Sequence, residues 1–218
     1  MKQQMVKLAY LVLGWMLGLL SPLILDKIKA RRERRELAVA IRAEAEDLQY
    51  RLACVSFLLA QHCGAVSRDY LLWLRPKLAK YKGREPVESG SKFVEALLKA
   101  SEDELLAMVN SMKAEEGVGL SLKLFQASLI ESSLARLPKF PADYQSRIHE
   151  FRNQLNALSQ EIERALERQR MTFDSSLGEQ NLQRLRTDVE AKYRFIQGMS
   201  VRVADRLQAI IDYDRSRI

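Results

Sequence analysis

Residues able to do chemistry are scarce in this 218-residue chain, which holds two histidines, His62 and His149, and two cysteines, Cys54 and Cys63. His62 and Cys63, with Cys54 upstream, offer three metal ligands. The two thiols stand nine residues apart, however, which on a helix turns them to opposite sides, and no fourth ligand has a recognisable spacing. His149-Glu150 opens like a zinc-protease helix, but Asn153 occupies the place of the second histidine. No glutamate has a histidine three residues on, as a di-metal bundle requires. Gly117-Val118-Gly119 lacks the third glycine and the Lys-Ser/Thr pair that cradle a nucleotide, and Ser89-Gly90-Ser91 reads as a turn rather than a nucleophile elbow. The carboxylates of Glu102-Asp103-Glu104 and Glu115-Glu116 fall at helix ends, where the helix dipole accounts for them. The residues therefore designate no catalytic centre, no metal site and no cofactor, and the chain reads as a non-enzyme.

The elements that carry these residues are helical. Nine glycines and five prolines are too few for a many-stranded β fold, and 29% charged against 47% hydrophobic residues excludes a disordered chain. The net charge of +7 is concentrated at one end: residues 1–35 hold eight Lys/Arg against Asp26 and Glu33. A basic balance confined to one short segment describes the surroundings of that segment, not a nucleic-acid site, and no nucleic-acid partner is expected.

That segment begins with Leu8–Leu25, 18 consecutive residues without a charge. Extended by Met5, Val6 and the stem of Lys7, it is long enough as a helix for a hydrocarbon layer of about 30 Å. It exceeds the apolar region of a signal peptide and lacks a small-residue cleavage site, so a retained single-pass anchor is expected. Six Lys/Arg, namely Lys27, Lys29, Arg31, Arg32, Arg34 and Arg35, follow it within ten residues, against two lysines before it. The positive-inside rule then places the N-terminus outside and the rest of the chain in the cytoplasm, at the cell membrane, with those six side chains against lipid headgroups of the bilayer. Gly14 and Gly18, with Ser21 on the same face, have the spacing through which two membrane helices approach closely, which suits homo-oligomerisation. Pro22 is expected to loosen the cytoplasmic end of the span.

Beyond the anchor, Leu37, Ile41, Ala45, Leu48, Leu52, Val55 and Leu59 recur at intervals of three and four, predicting a long amphipathic helix. Fifteen uncharged residues, Leu52–Val66, are too short to cross a membrane and predict a buried helix. The basic, aromatic stretch Tyr70–Arg84 reads as a helix docking on the core, bent or ended by Pro76, before a loop over Lys82–Gly90. Short helices are expected over Lys92–Lys99, Glu102–Lys113 with a Ser101/Glu104 capping box, and Leu120–Leu137.

The strongest period lies at the C-terminus. Tyr144, Ile148, Phe151, Leu155, Leu158, Ile162 and Leu166 line one helix, and Leu182, Leu185, Val189, Tyr193, Ile196, Met199, Val203, Leu207 and Ile210 line the next. A turn over Phe173–Gly178, with Ser176 and Glu179 as a second capping box, joins them into an antiparallel, coiled-coil-like hairpin. Tyr144, Phe151, Tyr193 and Phe195 are assigned to its core, and its mixed charges from Glu161 to Arg170 to a solvated face.

The organisation expected is thus a tail and transmembrane helix over 1–25, a basic juxtamembrane segment and amphipathic helix over 26–81, short helices and loops over 82–140, and the hairpin over 141–218. An all-α, membrane-anchored scaffold or adaptor with an unidentified protein partner fits this pattern. Two other readings are an extracytoplasmic envelope coiled-coil protein of inverted topology and an enzyme with a site assembled from scattered residues.

Overall fold

The computed structural model describes residues 2–79, 81, 88–115, 118–174 and 176–213, the side chains of 2–13, 16, 17, 19–23, 88 and 89 excepted. Within them the fold is all-α, without a strand. The helices are α1 (Lys2–His62), α2 (Arg68–Ala79), α3 (Glu88–Lys99), α4 (Glu102–Met112), α5 (Ser128–Ser133), α6 (Ala142–Met171) and α7 (Glu179–Ile211), with a 3-10 helix over Leu134–Lys139.

Helix α1 organises the molecule. Its 61 residues run without interruption through Pro22, over about 90 Å at the standard helical rise. Among the described residues no helix is long and apolar enough to cross a membrane. The side chains of the expected span Leu8–Leu25 lie largely outside the described ones: of that run only those of Gly14, Trp15, Gly18, Ile24 and Leu25 are described.

From Leu37 onward α1 serves two cores. Leu37, Ile41, Ala45, Leu48, Leu52 and Leu59 join a core built with α6 and α7, among them Phe151, Leu158, Ile196, Val203 and Leu207. On its other flank Ala53 and Ala60 join a smaller core with Leu71, Leu74, Val94, Leu97, Leu105 and Val109 of α2, α3 and α4. The lack of charge over 52–66 follows from this position between two apolar layers, since a charge on either flank would be desolvated. Cys54 packs towards the smaller core and Cys63 lies in the larger, so the two thiols do face opposite sides.

The end of α1 is set by Gly64, with φ of 63°. Its amide donates to the Gln61 carbonyl at 3.0 Å, and the Ala65 amide to the Ala60 carbonyl at 2.7 Å. This is a Schellman closure, which needs the left-handed residue that glycine supplies without strain. Helix α2 then returns antiparallel along α1: the Tyr70 hydroxyl donates to buried Ser56 at 3.0 Å, and Tyr81 stacks on Tyr50 with ring centroids 4.0 Å apart. Pro76 sits inside α2, which ends three residues later. The expected loop over 82–90 falls mostly outside the described residues, and Ser89-Gly90-Ser91, expected as a turn, lies in the first turn of α3.

Helices α6 and α7 form the antiparallel hairpin. Arg206 pairs with Glu150 at 2.9 Å and Arg168 with Asp188 at 3.1 Å, fixing its register. Deep between α1 and α7, the Gln49 carboxamide donates to the Ala204 carbonyl at 2.9 Å and to Gln208 at 3.1 Å.

Several local expectations need correction. The stretch expected as one helix over 120–137 is irregular to Ala127; α5 and the 3-10 turn occupy only Ser128–Lys139. Its backbone groups find remote side chains instead of a helical ladder. The Leu120 amide donates to the Tyr193 hydroxyl at 2.8 Å, and the Leu129 and Ile130 amides donate to the Glu44 carboxylate at 2.8 and 2.7 Å. The second capping box is absent: Ser176 donates to Asp174, and α7 starts at Glu179 behind Gly178 with no side-chain cap. The first forms fully, Ser101 and Glu104 exchanging both bonds. Phe195 is exposed rather than core.

Candidate functional site

Two places gather the residues with a possible function, and they lie towards opposite ends of α1. The first is the stretch before the core. From Ile24 to Glu36 every residue but Ala30 and Arg34 is exposed, and Leu37 is the first buried one. Those thirteen residues form a bare helical stem of about 20 Å. Lys27, Lys29, Arg31, Arg32 and Arg35 stand free of the bundle core on it, Arg32 bridging to Glu36 at 2.8 Å along the same helix. Arg34 differs from the other five: it turns to the bundle and donates to the Lys139 carbonyl at 3.2 Å. Further along, Gly14 and Gly18 are exposed, and a Cβ built on either meets no atom within 4 Å. Ser21 is known by its helical backbone alone, its side chain being outside the described residues.

The second place is a cleft of about 530 Å³ at the far end of α1, where α4, the end of α6 and the start of α7 converge. Tyr193 forms its floor. The hydroxyl that accepts from Leu120 also donates to the Gln169 Oε1 at 3.2 Å. A Cβ at Gly119 would overlap the Gln169 amide where it stands, so a larger residue there obliges that side chain to shift. The His62 ring meets Tyr193 edge to face with centroids 5.1 Å apart. Burial lowers the His62 pKa below its ordinary 6.5, against an opposing pull from Glu190, and the ring is held neutral. Burial likewise raises the pKa values of Tyr193 and Cys63, which leaves the thiol protonated and a poor nucleophile.

Charge around the cleft is partly committed. Arg194 bridges to Glu190 at 3.0 Å, whereas Arg186 approaches Glu179 no closer than 3.9 Å. Among the described residues no three His, Cys, Asp or Glu side chains group where a metal ion could be held. His149 is exposed on α6, remote in chain position from the His62–Cys63 end of α1, and its neighbour Glu150 is the partner of Arg206.

Sequence reasoning missed the cleft. Tyr193 was legible only as an apolar-face position of the hairpin, and Lys113, Gln169 and Arg186 belong to separate segments with no common spacing. No protein family, curated protein or solved structure matches the chain.

Proposed function

We propose that the chain is a single-pass, membrane-anchored helical scaffold or adaptor without catalytic activity, with its bundle on the cytoplasmic side of the cell membrane. The observation that carries this reading is the continuity of α1: one helix leads from the uncharged run Leu8–Leu25, through an exposed basic stem, into the centre of two cores. A helix that is apolar at one end and packed at the other transmits position and rotation from the bilayer to the bundle without a flexible linker.

The stem supports the reading electrostatically. Five exposed cations next to an anionic leaflet contribute on the order of 1 kcal/mol each, and Arg34 with Lys139 fixes where the stem meets the bundle. The basic stretch around α2 has a different role. Because α2 returns only to the level of Tyr50, it stays about 37 Å along α1 from Leu25, which is several Debye lengths at physiological salt.

In fractionation, the full chain should stay with membranes through an alkaline carbonate wash. Replacing Leu13→Arg and Leu17→Arg, at about 3 kcal/mol per arginine at mid-bilayer, should release it. A native chain recovered in the wash overturns the reading.

A further inference from the structure

We infer that the cleft at the far end of α1 binds a small organic anion, a carboxylate or phosphate carried on a compact apolar body. Its volume, about 530 Å³, lies in the range of roughly 300–1,000 Å³ that small-molecule sites occupy. Of the polar groups facing it, Lys113 and Arg186 are donors only, whereas Asn110 and the neutral His62 ring each offer a donor and an acceptor. The Lys113 ammonium and the Asn110 carboxamide make no hydrogen bond or ion pair among the described residues, and the His62 ring meets Tyr193 edge to face and feels the charge of Glu190. The Arg186 guanidinium pairs with Glu179 at 3.9 Å, too far for a hydrogen bond, which leaves its fork of N–H groups able to take a bidentate acceptor. Of the two acids among the described lining residues, Glu190 is engaged by Arg194, and Glu115 is exposed to solvent.

The remaining wall mixes the polar Gln169, Thr172 and Thr187 with apolar and aromatic groups. Val118, Val189 and the Tyr193 ring give a flat body somewhere to lie, while the Tyr193 hydroxyl is already saturated by Leu120 and Gln169 and takes no part. Acceptors on the ligand therefore face Lys113 and Arg186, and its apolar part faces the floor. The inference does not rest on the membrane reading: the cleft is built entirely from bundle residues.

Titration calorimetry on the full-length chain in detergent tests it, with phenyl phosphate and phenylacetate as probes and benzyl alcohol as the neutral control. At least one anion should bind saturably with a Kd of about 1 mM or tighter, and benzyl alcohol should not. Lys113→Gln and Arg186→Gln should each weaken the anion about tenfold, while Arg206→Gln, which touches only the hairpin, should leave its Kd unchanged. Lys113 is exposed and Arg186 is about a third exposed, so unchanged helical circular dichroism is expected to accompany the loss. Saturation by neither anion, equal binding of benzyl alcohol, or an anion Kd indifferent to both cleft substitutions overturns the inference.

Discussion

His62 couples the cleft to pH. Its folded-state pKa lies below the ordinary 6.5 because burial disfavours the imidazolium, with Glu190 opposing. A base with a depressed folded pKa contributes stability that is fully present above its unfolded value and is lost as pH falls, because the unfolded chain takes the proton first. The urea midpoint should therefore drop between about pH 7.5 and pH 5.5, and His62→Gln should make that drop smaller. Identical drops in the two chains would show that His62 is not held neutral. At the same scale, Gly119 and Tyr193 show that a contact can matter to shape without announcing a role: a larger residue at one obliges Gln169 to shift, and the other spends its hydroxyl on a backbone amide.

Glu44 is the clearest case at the scale of elements. Helix α5 begins behind Ala127, which has no side chain to cap it, and the missing acceptor comes from α1, 85 residues earlier. Glu44→Ala should cost about 1–2 kcal/mol in chemical denaturation, as loss of a helix cap does, and Glu44→Gln should recover part of it with its one remaining acceptor oxygen. No effect of either substitution would mean that water replaces the carboxylate freely. This bond also explains what was legible in the sequence. The apolar periods of α6 and α7 and the Ser101/Glu104 box are local patterns; the box and most of the periods appear as read, while Leu166, Leu182, Leu185 and Met199 are only half-buried. In the segment expected as one helix, Leu120 bonds Tyr193 and the first turn of α5 bonds Glu44, partners far away in the chain, so the same residues read as a single helix when taken alone. Gly64 was a readable stop, hidden inside an uncharged stretch whose lack of charge comes from burial on two flanks.

At the scale of the whole molecule, α1 joins an uncharged run to a packed bundle, and the face bearing Gly14 and Gly18 is open. Small residues four apart permit close helix approach in lipid, so self-association through that face should weaken in a membrane dimerisation reporter when both glycines are replaced by leucine. Unchanged association would remove this contact and leave the anchor itself in place. The central claim is the anchor with the bundle on the cytoplasmic side, and site-directed labelling tests it most directly. In intact cells, a membrane-impermeant maleimide should label Gln3→Cys and should reach Ser176→Cys, at the exposed hairpin turn, only after permeabilisation. Labelling of Ser176→Cys in intact cells, with Gln3→Cys protected, would contradict the claim.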